Sequence, residues 1–146
     1  MVLKRTLRPP RDLAFSSLVA KARPWRRTSD VVRAAVEARV LDDMAAYLEE
    51  PKKVLCPILG APESTAHRLI RHELKLDAVV SERVIRVTQV VRTALEVFGG
   101  RQAALRWLKR ANLALAGATP LSRLHTGFGA AEVRRILSSI TYGGAY

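Results

Sequence analysis

Between Ser81 and Phe98 the chain sets Val84, Val87, Val91, Leu95 and Phe98 three or four residues apart. That repeat belongs to one face of an α-helix and is incompatible with the alternation of a strand. The opposite stripe, Arg86, Gln89, Thr93 and Glu96, is polar, Ser81 is a suitable N-cap, and Gly99-Gly100 supplies a left-handed stop. A helix of this kind needs partners to cover its apolar side, and the composition says what they are. Apolar residues reach 49% while aromatics are only 5%, which suits Ala/Val/Leu-rich helices better than an aromatic-rich sandwich. The spacing therefore predicts an all-α fold, and 146 residues are enough for one proper core but short for two independent ones.

The same reading extends along the chain. Residues 1–28 hold Pro9, Pro10, Pro24 and Trp25 among eight basic side chains and lack sustained periodicity, so they read as a basic arm. Ser29 or Asp30 caps a helix expected to run to about Glu50 along Val32, Val36, Val40 or Leu41, Met44 and Leu48. Pro51 breaks it. Two short helices follow, over Val54–Leu59 and Glu63–Glu73, joined by Gly60-Ala61-Pro62 in the outline of a helix-turn-helix. Pro57 falls inside the first of them and is expected to disturb it. After the central helix come one over about Arg101–Lys109, with Ala104, Trp107 and Leu108 inward, a short one opened by Thr119-Pro120, and a last one over about Ala130–Ile140. The expected domains are the arm at 1–28, a helical region with a degenerate helix-turn-helix at 29–80, and a unit at 81–146 ending in a short tail.

The net charge of +12 is unevenly placed. Residues 1–27 carry eight Lys or Arg against one acid and 99–146 carry seven against one, around a nearly balanced middle. Such ends attract polyanions by counterion release, and they also serve simply as a solvated surface. No run approaches the roughly 18 apolar residues of a membrane span. Leu13–Ala20 with Ala20-Lys21-Ala22 resembles a weak leader, but its apolar stretch is eight residues with two serines, so secretion is not expected; an Arg-rich organelle presequence shares this composition. One cysteine, Cys56, excludes an intrachain disulfide framework and fits a reducing cytosol.

A search for chemistry finds no catalytic constellation and no metal site. His67 and His72 are five apart and His125 is remote, Asp42-Asp43 and Glu49-Glu50 diverge on a helix, and Cys56 lacks a neighbouring base. Binding is what remains. Ser64, Thr65, His67, Arg68, Arg71 and His72 can project from one face of the second short helix toward phosphates and base edges in a major groove; the polar face of a structural bundle looks the same. At the other end, Ile140, Tyr142 and Tyr146 sit around the Gly143-Gly144 hinge with Ala145, a tail able to enter a partner's pocket or simply to fray.

From Leu95 onward the sequence resembles the toxin-binding domain of the Xre/MbcA/ParS antitoxins, which neutralise RES-domain toxins. The matching residues are Leu95-Glu96-Val97-Phe98-Gly99, Ala104-Leu105-Arg106-Trp107-Leu108, Asn112, Leu115, Gly117, Thr119-Pro120-Leu121, Leu124, Thr126, Gly129, Val133, Leu137, Ile140 and Tyr142-Gly143, with Ala111 where the family usually has Pro. Weaker likeness reaches back to about Val54. The resemblance implies a non-enzymatic antitoxin in which Tyr142 to Tyr146 block the toxin's NAD cleft, Arg134 and Arg135 pair with toxin acids or occupy phosphate-like subsites, and any NAD belongs to the toxin, so this chain needs no cofactor. It further implies an Xre-like helix-turn-helix, a homodimer, and repression of the operon's own promoter. A stand-alone helix-turn-helix regulator and a basic RNA-associated structural protein are the competing readings.

Overall fold

The computed structural model describes residues 15–21 and 36–143. The cap at Ser29 or Asp30, Val32, most of the basic arm, and Gly144, Ala145 and Tyr146 lie outside the described residues. Seven α-helices are present among the described residues: α1 Phe15–Lys21, α2 Val40–Leu48, α3 Lys52–Leu59, α4 Glu63–Arg71, α5 Ala78–Phe98, α6 Arg101–Leu108 and α7 Gly127–Thr141. Two 3-10 turns, η1 Leu113–Leu115 and η2 Leu121–His125, join α6 to α7. The all-α expectation holds.

α5 is the centre of the molecule and packs against α1, α3, α6, α7 and η2. Val80, Val84, Ile85, Val87, Val90, Val91 and Ala94 are all buried, so the helix is apolar around most of its circumference and not along one stripe. Even Arg86, expected on the outer polar face, is covered. Its guanidinium chelates Glu82 at 2.8 and 3.0 Å and donates to the Leu124 carbonyl at 3.4 Å, because η2 and α7 close over that side. The core formed around α5 is one cluster, running from Phe15 and Val19 through Leu41, Met44 and Leu48 to Leu108, Leu124 and Leu137.

The last helix starts at Gly127, three residues before the expected Ala130, and three further differences from the sequence reading have non-local reasons. The helix expected from Ser29 to Glu50 starts, within the described residues, only at Val40, because residues 36–38 are drawn into a backbone bridge with 74–76. Ala38 N donates to Leu74 O at 2.9 Å and Leu76 N to Val36 O at 2.7 Å, so the Val36 carbonyl is taken before a helix can use it. Ser81 does not cap α5. Asp77 does, accepting from Val80 N at 2.8 Å, and the buried Ser81 hydroxyl instead accepts from Val36 N at 3.2 Å and donates to Leu76 O at 3.4 Å. Within the expected arm, α1 is helical and docked: Phe15 and Val19, one turn apart, are buried, and Arg92 of α5 donates to the carbonyls of Val19 and Ala20 at 3.2 and 2.6 Å.

α7 is seated by a glycine. Thr126 caps the helix by accepting from Gly129 N at 2.9 Å, and a Cβ on Gly129 would lie 2.0 Å from the Arg123 carbonyl oxygen of η2. Neither backbone can give way without unseating the helix. Gly129→Ala is therefore expected to cost about 1–3 kcal/mol, whereas Gly100→Ala, at an extended position with open space around it, stays within about 0.5 kcal/mol; urea unfolding of the two variants checks the contrast.

Candidate functional site

The first surface is built by α3, its turn and α4. α3 keeps its helical course through Pro57, and the disturbance expected there is limited to the missing N–H, since the ring is exposed at the helix surface. Gly60 then takes the left-handed conformation at φ 68°, its N–H reaching the Cys56 and Pro57 carbonyls. The Arg83 guanidinium of α5 lies directly on this turn, in the space a Gly60 Cβ would occupy. α4 leaves the turn resting chiefly on α3, with Ala66 buried and Leu69 and Ile70 half-buried behind it. Ser64, His67, Arg68, Arg71 and His72 are exposed and Thr65 is half-buried, so the sequence-predicted residues share the outward side of α4. On this helix His67 Nε2 stands 3.6 Å from the Glu63 carboxylate.

The second surface is the outer side and end of α7. Ala130, Val133, Ile136 and Leu137 face the core. Ile140 continues that apolar line past the edge of the core and is 37% exposed, and Tyr142, at the helix end, is 85% exposed. Gly143 has φ 75°, a conformation glycine reaches without strain, so the chain turns off the helix there. The two arginines differ. Arg135 is exposed, while Arg134 is half-buried, and burial, then the neighbouring Arg86 cation, hold its guanidinium below the usual arginine range. Sequence reasoning did not single out Phe128, which is 76% exposed in the first turn of α7, or Leu113, which is 97% exposed on η1. The signal for Phe128 was present in its register, seven residues before Arg135 and fourteen before Tyr142.

The end of α2 is held to α6 by a clamp. Its last carbonyls are orphans of the helix and are met by cations of α6. Arg101 donates to Tyr47 O at 2.6 and 3.1 Å and lies 4.9 Å over the Tyr47 ring, while Lys109 donates to Leu48 O at 3.0 Å and Glu49 O at 3.4 Å. Beside the clamp, a cleft between α3 and η2 is floored by Val54, Ile58 and Leu121 and rimmed by Glu50, Lys109 and His125. The imidazole Nδ1 there is turned to its own Ser122 carbonyl at 2.8 Å. Burial raises the Cys56 thiol above its ordinary range, which makes it a poor nucleophile. Among the described residues no group of three or more His, Cys, Asp or Glu is gathered for a metal, and no helix is long and apolar enough to cross a membrane.

These elements define a helix-turn-helix unit joined through a shared central helix to a helical C-terminal docking domain. Residues 28–88 match the model of the antitoxin Xre-like helix-turn-helix domain, and residues 93–143 match that of the antitoxin Xre/MbcA/ParS C-terminal toxin-binding domain. The chain is also similar to an antitoxin Xre of Yersinia enterocolitica, 26% identical over 115 residues that make up 78% of each protein. It belongs to the Xre/MbcA/ParS family of antitoxins.

Because the outward side chains of α4 and α7 touch little of the core, they are free of structural duty. Arg68→Ala, Arg71→Ala, His72→Ala and Arg135→Ala should each leave unfolding free energy within about 0.5 kcal/mol of the parent. Chemical denaturation checks this; a loss above about 1 kcal/mol would make the face structural.

Proposed function

We propose that this chain neutralises a RES-domain, NAD-using toxin by placing its C-terminal segment, Tyr142 to Tyr146, in the toxin's active-site cleft, and that it represses its own promoter through α4. The observation that carries the reading is the pairing of an 85%-exposed Tyr142, followed by a left-handed Gly143, with the toxin-binding domain match that ends at residue 143. Tyr gives a large, rigid contact with a polar tip, and the glycines give it reach. Inhibition is steric: the chain does no chemistry and holds no cofactor, and NAD is the toxin's substrate. Arg134 and Arg135 meet toxin carboxylates beside the cleft.

The DNA side follows from α4. Arg68 and Arg71 stand one turn apart and both exposed, matched to successive phosphates, with Ser64, Thr65, His67 and His72 near base edges. A homodimer presents two such helices to the two halves of a palindromic operator. The chain works in the bacterial cytoplasm, where its toxin and operator are.

Two variants separate these functions. Removal of residues 142–146 should restore NAD consumption by the cognate RES protein in the presence of the truncated chain, while operator binding is retained. Arg68→Ala with Arg71→Ala should keep full inhibition, weaken operator binding, and lower the slope of log affinity against log salt by about two per protomer, about four for the dimer on its operator. Full inhibition by the truncated chain contradicts the plug, and unchanged salt dependence contradicts α4 as the phosphate-contacting helix.

A further inference from the structure

We propose that the outward face of α7 is a continuous seat for the toxin, and that the surface it fits is apolar with a single carboxylate at its middle. The inference rests on the reading of the chain as an antitoxin and adds the chemistry of the partner. Phe128, Ala131, Arg135, Ser138 and Tyr142 are all exposed, at spacings of three, four, three and four. This is the register of a helix-packing seam, and it lies opposite the residues with which α7 meets the core. The two aromatic anchors, 76% and 85% exposed, are fourteen residues apart, about 21 Å along the helix. Ala131 and Ser138 between them are small enough for a second backbone to come close. A large ring left this exposed in a chain with so few aromatics is the kind of residue that anchors an interface.

Charge decides the occupant. Arg135 lies midway between the anchors, so two copies of α7 paired antiparallel would set Phe128 against Tyr142 well but would also press Arg135 onto Arg135 in a desolvated seam. A second copy is therefore excluded by its own centre, and a partner carrying an acid there is favoured. The seat lies wholly within the toxin-binding match at 93–143 and runs directly into the segment assigned to the cleft. A toxin that accepts the tail has to pass along this face. The seat holds the toxin and the tail blocks it, so the two contributions are separable.

The test is calorimetric titration of the full-length chain with its purified cognate RES-domain protein, using Phe128→Ala, Arg135→Glu and Ala131→Arg, with sedimentation velocity on the chain alone. All three positions are exposed, so circular dichroism should match the parent. Phe128→Ala is expected to weaken binding roughly tenfold to a hundredfold, and Arg135→Glu and Ala131→Arg by about a hundredfold or more. Leu113→Ala, equally exposed but on η1, should change it less than about twofold. Parent-like binding by the α7 variants overturns the seat and leaves the antitoxin reading standing. Failure of the parent chain to bind the RES protein at all overturns both. Loss of self-association in the variants, with toxin affinity unchanged, also overturns the inference and makes the face a contact between copies.

Discussion

The burial of α5 around most of its circumference organises the rest of the chain. A helix that is apolar around most of its circumference cannot rest on one neighbour, and here it takes α1, α3, α6, α7 and η2 to cover it. The helix-turn-helix match ends at residue 88 and the toxin-binding match begins at residue 93, both inside this single helix. The two halves consequently share a core residue by residue, from Val80 at one end to Ala94 at the other. The polar contacts at its margins serve the same end. Arg92 closes the last turn of α1, Arg101 and Lys109 close that of α2, and Arg83 covers the turn between α3 and α4. Each is a cation meeting backbone carbonyls or a tight turn, so a good part of the basic excess outside the first 27 residues has a structural use.

With the core shared in this way, α4 and α7 differ from the other helices in how much polar or apolar surface they leave outside it. α4 touches chiefly α3 and buries fully only Ala66. α7 buries one face completely and leaves a ring at each end of the other in solvent. The arrangement leaves a polar, basic surface on the helix-turn-helix half and a partly apolar one on the toxin-binding half, both carried on one core.

Local pattern made most of this legible in the sequence. The spacing of Val84, Val87 and Val91 located α5, Gly60 marked the turn between α3 and α4 and Gly99 the end of α5 itself, and the residues read as the polar side of α4 do lie outward, as Tyr142 does at the end of α7. The parts that escaped depend on contacts between distant residues. Val36 reads as helical until Leu76 takes its carbonyl, and Ser81 reads as a cap until Asp77 replaces it four residues earlier and Val36 claims its hydroxyl. Arg86 reads as surface because nothing near it in sequence announces that the Leu124 carbonyl will accept from it. Phe128 is passed over because the last helix is expected to begin only at about Ala130, which leaves its register with Arg135 and Tyr142 unread.

The claim that the two halves are one cooperative unit is open to direct measurement, because each carries a natural probe. Cys56, the single cysteine, is buried in α3, and Trp107 packs its ring 5.5 Å from Phe98 in the other half. With Trp25 replaced by Phe so that one indole remains, urea unfolding is followed at once by Trp107 fluorescence and by the reactivity of the Cys56 thiol. A shared core predicts coincident midpoints and slopes. Exposure of Cys56 at urea concentrations where Trp107 is still native would show that the helix-turn-helix half opens by itself and that α5 does not join the two.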